Sequence, residues 1–214
     1  MKKFIFFSLV CFLFLFNSNA QAVTGLGLGV RGGIIQNYDN PALKKFSSDY
    51  TSGFSLKQMP LLGAHLKIGT LPVIDLEVSV EYAWKKKKNI NYYPEGAKIL
   101  NPPQVDLTVR DLSLNATAKY LFSFPVVRPY IGAGIGIHRL IYELSVADTL
   151  ALYFPEDENK IGFHGVGGVS LQLPAFPLEI FVEGRFVYIK TKQKKLDTKE
   201  TDFITILAGI TLNL

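Results

Sequence analysis

From Val23 onward the chain alternates apolar and polar residues with a period of two, in eight separate stretches. Between 74 and 85, Leu76, Val78, Val80, Tyr82 and Trp84 fall on one side, with Asp75, Glu77, Ser79, Glu81 and Ala83 on the other. Successive side chains of a strand point to opposite faces, so this stretch is a strand with one oily and one acidic face. No segment holds apolar residues at i, i+3, i+4 and i+7 for long enough to make a helix. The pattern predicts an all-β chain with strands over 23–35, 57–69, 74–85, 105–122, 128–142, 160–173, 178–190 and 202–214. They are long beside the roughly 5–6 residues of ordinary globular strands, and they reach the roughly 9–11 that a tilted membrane strand needs.

The connections fall into two alternating classes. Those at 70–73, 123–127 and 174–177 are short, nearly uncharged and contain proline, which ends a ladder because it has no N–H to donate. Those at 36–56, 86–104, 143–159 and 191–201 are long. Strict alternation puts every long loop on one side, as strands running up and down require. Leu-Pro-Val, Phe-Pro-Val and Phe-Pro-Leu precede the third, fifth and seventh strands, a weak hairpin repeat.

Alternation alone fits a soluble barrel or sandwich with the oily face inward, or a membrane barrel with the oily face outward. Glycine placement separates them. Gly25, Gly27 and Gly29 lie on the same face as Arg31; Gly132, Gly134 and Gly136 lie with Tyr130 and His138; Gly162 and Gly168 lie with His164, Ser170 and Gln172. Rows of glycine beside long polar side chains suit a cramped interior, where small residues make room for large ones. Tyr82, Trp84 and Tyr188 on the oily face at the long-loop end, and Tyr120 and Phe122 at the short-turn end, sit where membrane aromatic girdles belong. The expected fold is therefore an eight-stranded antiparallel up-and-down transmembrane β-barrel, lipid outside Val78 and Val80 and a polar lumen inside Glu77 and Glu81.

The first residues have a different purpose. MKK, an apolar run from Phe4 to Phe16 and an A-x-A site at Ala20 and Ala22 make 1–22 a secretory signal peptide, leaving 23–214 as the barrel. Cys11, the single cysteine, leaves with it, so the mature chain has no disulfide and no cysteine metal site. Lys2 and Lys3 leave too, which lowers the formal charge from +5 to +3. That is too mild to argue for nucleic acid.

The pattern resembles the small eight-stranded outer-membrane barrels of Gram-negative bacteria, of the OmpA-barrel and OmpX kind. The likeness spans 23–214 and is clearest in RPYIGAGIGIHRL at 128–140. It implies insertion by the barrel-assembly machinery, residence in the cell outer membrane as a monomer, and no cofactor; it does not fix a function, since such barrels serve as anchors, adhesins, narrow pores and lipid-modifying enzymes. The chain departs from the pattern at its end, Asn213-Leu214, where the family commonly carries an aromatic residue.

The inward register collects Asp75, Glu77, Glu81, Asp111, Glu179 and Glu183 against Arg31, Lys67, Lys119 and Arg185, with all three histidines, His65, His138 and His164. Eight strands leave an interior just wide enough for side chains, so the expectation is a charge network that plugs the lumen. Catalysis is argued against by spacing. Glu77 and Glu81 are about 13 Å apart along a strand, too far for paired-carboxylate hydrolysis. His164 and Ser170 stand about 20 Å apart by the same rise, and no His-x-Ser arrangement of the lipid A deacylases is present. No close pair of metal ligands exists either. We expect no catalytic residue and no metal. At the long-loop rim, Lys85, Lys86, Lys87 and Lys88, then Lys190 and Lys192, form basic clusters suited to lipopolysaccharide phosphates. The function expected is a non-enzymatic structural or surface-recognition barrel acting through four long extracellular loops, with a narrow solute channel or a lipid A-modifying enzyme as alternatives.

Overall fold

A computed structural model describes residues 25–39, 58–71, 73–91, 104–122, 124, 126–146, 150–155, 159–172, 176–190 and 201–214. The signal-peptide reading falls on 1–22 and lies outside them, as does Lys192. The strands are β1 Leu26–Asp39, β2 Gln58–Leu71, β3 Ile74–Asn91, β4 Gln104–Leu121, β5 Val127–Val146, β6 Leu150–Pro155, β7 Lys160–Gln172, β8 Leu178–Ile189 and β9 Thr201–Asn213.

Every pairing is antiparallel, and β1 pairs with both β2 and β9, so the sheet closes on itself. Closure removes the free edges of the sheet apart from β6, which among the described residues pairs with β5 alone. Nine strands make eight staves, because β4 flanks β5 along its length while β7 and β6 follow one another down its other side. Following cross-strand partners once around, Leu26, Ile68, Leu76, Ala118, Ala133, Gly165, Phe186, Ile204 and Gln36, returns to β1 ten residues further on. For eight staves that stagger tilts the strands by about 40°.

The faces divide as the alternation predicts. Leu76, Val78, Val80, Leu112, Leu114, Ile204, Ile206 and Ile210 are exposed, while Glu77, Ser79, Glu81, Asn115, Thr117 and Thr211 are buried. A skin of this composition is stable only in an apolar medium, whereas the buried polar residues need the partners they find inside.

Two expected loops are corrected. Residues 86–104 were expected as a connection, yet β3 runs on to Asn91, held by pairing from Lys86↔Thr108 to Asn91↔Gln104 with a bulge after Lys87 and Asn89 at φ 56. The interval 143–159 holds the end of β5 and all of β6, joined from Ile141↔Pro155 to Val146↔Leu150. Lysines and turn formers make these stretches read as loop, but neighbouring strands supply ladder partners that local composition does not reveal.

Candidate functional site

The lumen begins near the short-turn end, where Lys67 pairs with Glu179, and Asp75 stands 3.8 Å from its ammonium. Above them is a compact set of charges drawn from four strands. Arg31 reaches Glu77 at 2.6 Å and Glu81 at 3.4 Å. Lys119 lies between Glu77 at 2.8 Å and Glu183 at 2.7 Å. Arg185 donates Nη1 to both oxygens of Glu81, at 2.9 and 3.0 Å, and Nη2 to Glu183 at 3.0 Å. Tyr130 donates its hydroxyl to Glu183 at 3.0 Å, and Ser79 donates to Glu81 at 3.1 Å. Each buried carboxylate of this set thus meets at least one cation, the condition under which burial of charge is tolerated.

Phe181, an apolar residue at an inward position, lies at the centre of this set. Its ring centroid is 5.5 Å from Arg31 Cζ and 5.5 Å from Lys119 Nζ, and it meets His65 edge-on at 5.3 Å. Tyr130 takes a similar place, 4.9 Å from Lys119 Nζ. Aromatic faces attract cations, so these rings bind the network together as well as filling it. Alternation could have flagged Phe181, since it shares parity with Glu179 and Glu183.

The histidines do not converge. His65 Nε2 is 2.9 Å from Thr211 Oγ1, His164 Nε2 is 2.8 Å from Thr117 Oγ1, and His138 Nδ1 is 3.2 Å from Asp111 Oδ2. Among the described residues no three His, Cys, Asp or Glu side chains come together to hold a metal ion.

Glycine shapes the lumen where backbones and rings crowd. A Cβ on Gly209 would lie 2.6 Å from Phe181 Cζ and 2.6 Å from the Val30 carbonyl oxygen, whereas one on outward-facing Gly167 would meet nothing. Gly209→Ala is therefore expected to cost about 1–3 kcal/mol, the usual range for overpacking, and Gly167→Ala close to nothing. Urea unfolding in detergent micelles measures both; equal midpoints would show that the Phe181 ring is loosely held.

Nearer the long-loop end the interior turns apolar, which the sequence reading did not anticipate. Ile35, Met59, Leu61, Ala83, Leu107, Val109, Leu140, Val187, Ile189, Phe203 and Leu207 form one buried cluster. It lies on the long-loop side of Arg31, Glu81 and Arg185 on β1, β3 and β8. The inner wall thus has a charged lower part and a greasy upper part.

At the rims, Tyr82 and Trp84 stack at 5.6 Å, and Tyr120 meets Phe122 edge-on at 5.2 Å, all on the outer side except half-buried Phe122. The lysine run is not a loop cluster. Lys86 and Lys88 continue the outward parity of Trp84 and are exposed, while Lys85 and Lys87 take the inward parity and are half-buried. Lys85 Nζ donates to the Gln58 carbonyl at 2.6 Å, and Lys86 pairs with Asp106 at 3.2 Å. The Asp106 carboxyl accepts the Asn89 N–H at 3.1 Å, and this bond, with Lys86 beside it, holds it below the usual carboxylate range. Lys190 is exposed at the end of β8.

Comparison with solved structures places this architecture. Neisserial surface protein A superposes with a TM-score of 0.52 at 16% identity, covering 88% of this chain and 96% of that one. The attachment invasion locus protein Ail of Yersinia pestis, in complex with the heparin analogue sucrose octasulfate, gives 0.47 at 11% identity over 87% and 98%, and a major outer membrane protein of Thermus thermophilus gives 0.47 at 12% over 88% and 99%. No family model and no curated protein matches. The chain has the fold of the small eight-stranded outer-membrane β-barrels.

Proposed function

We propose that this protein is an integral outer-membrane barrel with a closed lumen, non-enzymatic, serving the envelope structurally or in surface recognition through its long extracellular loops. Signal-peptide cleavage, insertion by the barrel-assembly machinery and a monomeric state belong to the same reading. The observation that carries it is the pairing of an apolar outer skin with an interior in which Glu77, Glu81 and Glu183 each bridge two cations. Ions crossing would have to displace these bridges and then pass the apolar cluster, a second barrier of the kind that gates by excluding water.

The wild-type barrel is therefore expected to conduct poorly in planar bilayers, with rare or irregular openings. A steady, well-resolved channel would favour the narrow solute-channel alternative instead. The basic rim supports a further part of the reading, contact with lipopolysaccharide through the cluster of Lys85, Lys86, Lys87, Lys88, Lys190 and Lys192. Opposite charges at an interface contribute about 1 kcal/mol per lysine and fade with salt. Changing Lys85 to Lys88 to glutamine is expected to lower thermal stability more in lipopolysaccharide vesicles than in zwitterionic detergent, where only the contacts of Lys85 with Gln58 and of Lys86 with Asp106 are lost. An equal loss in both would assign these lysines a purely structural role.

A further inference from the structure

The outer wall carries cations on three neighbouring strands at the upper edge of its apolar band. Arg139 faces outward from β5, exposed, between inward His138 and Leu140, and its cross-strand partner is the exposed Leu112. It finds no acceptor among the described residues. Arg110 faces outward from β4 opposite Trp84, and Lys86 faces outward from β3 opposite Thr108. These two have acid partners, Glu143 at 3.1 Å and Asp106 at 3.2 Å, yet 39% of the Arg110 side chain and 48% of the Lys86 side chain remain exposed.

The barrel's stagger brings the three to one height. Each step from β3 to β4 to β5 along paired residues climbs about 3 Å toward the long-loop end, and each two-residue step back along a strand descends about 5 Å. Arg110 is two residues below the partner of Lys86, and Arg139 is two residues below the partner of Arg110. Lys86, Arg110 and Arg139 thus lie within about 5 Å of the level of Trp84, spaced about 7–8 Å apart as diagonal neighbours. Elsewhere around the barrel the first outward polar positions are Asn159, Lys190, Asp202, Gln36 and Gln58. Among the described residues only β3, β4 and β5 form a contiguous cationic face.

We propose that this face is a binding site for one phosphorylated outer-leaflet glycolipid of the lipid A type, with its acyl chains against Leu112, Leu114 and Ile137 and a phosphate held by Arg110 and Arg139, with Lys86 beside them. It rests on the outer-membrane reading above and extends the contact from the lysine run down to the barrel wall. The aliphatic stem of Arg139 lies along apolar surface while its head rises to the phosphate level. The planar guanidinium forks suit a phosphate better than an ammonium does. The acidic partners Asp106 and Glu143 lie above, on the water side, so each cation retains an open side toward the lipid.

The test is native mass spectrometry of the folded barrel in micelles doped with diphosphoryl lipid A, with its dephosphorylated form and with phosphatidylcholine. The wild type is expected to retain one diphosphoryl lipid A and neither of the others. R110Q/R139Q is expected to weaken retention roughly thirtyfold, at the usual gain per interfacial cation, and Q36A, an outward change on β1 away from this face, to leave it unchanged. Heat-dependent gel mobility reports folding of each variant; should the double variant not fold, R139Q alone is expected to weaken retention roughly fivefold. Wild-type retention in a folded arginine variant would overturn the site. If changing Lys85 to Lys88 then abolishes binding, the lysine-rim reading survives; if nothing changes it, both readings fall. Equal retention of the dephosphorylated lipid would also overturn the proposal.

Discussion

Ile206→Arg is expected to cost about 2–4 kcal/mol and to suppress folding into bilayers, while Gln36→Arg costs about 0–1 kcal/mol. Both residues face outward, and they differ in depth: Ile206 pairs with Ile34 in the apolar band, while Gln36 stands two residues closer to the long-loop end. A guanidinium at Ile206 must either enter hydrocarbon or drag water and headgroups to itself. Urea titration in liposomes, read by heat-dependent gel mobility, measures the pair. Similar losses for the two would mean that the outer face is not graded by depth. Ser79→Arg, an appealing inward contrast on the sequence alone, is a poor one in the structure, because Ser79 is 1% exposed and packed against Glu81.

The second large effect is inside. Glu183 is fully buried and is shared by Lys119, Arg185 and Tyr130. Glu183→Ala leaves two buried cations short of a partner, and breaking a buried pair from one side typically costs about 3–5 kcal/mol. Arg185 retains Glu81 and Lys119 retains Glu77, so the barrel is expected to fold but to unfold at lower urea. Glu183→Gln, which keeps the shape and the acceptor oxygen, should lose less. If Glu183→Ala unfolds with the wild type, the lumen is wet enough to solvate Lys119 and Arg185, and the closed-lumen account weakens with it.

Much of this was legible in local alternation. The outward set on β3, β4, β8 and β9 and the inward glycine rows follow from period two alone. So does the list of lumen charges, because charge on the inner face of a narrow barrel has nowhere else to go. The partners were not legible. Alternation puts Lys67 beside Glu77 on paired strands, yet its ammonium reaches across to Glu179, while Arg31 takes Glu77 and Glu81. Those choices depend on the stagger of strands far apart in sequence, which no local pattern carries. The apolar cluster was hidden for a related reason: at Val187 and Ile189, or Phe203 and Leu207, both faces are apolar, and a two-letter pattern cannot assign a side. The extra length of β3 and β5 was hidden because strands beyond the membrane no longer need an oily face, so Lys86 to Lys88 read as loop.

The placement of lipid against lumen is tested most directly by nitroxide scanning of β3 in lipid vesicles. Residues 23–214 contain no cysteine, so single cysteines can be introduced at each position from 76 to 84 without background. Labels at 76, 78 and 80 are expected to be relaxed strongly by molecular oxygen and weakly by a water-soluble nickel chelate, with labels at 77, 79 and 81 shielded from both. The opposite phase, or strong relaxation by the chelate at Val78 and Val80, would contradict a barrel with lipid outside and a closed lumen within.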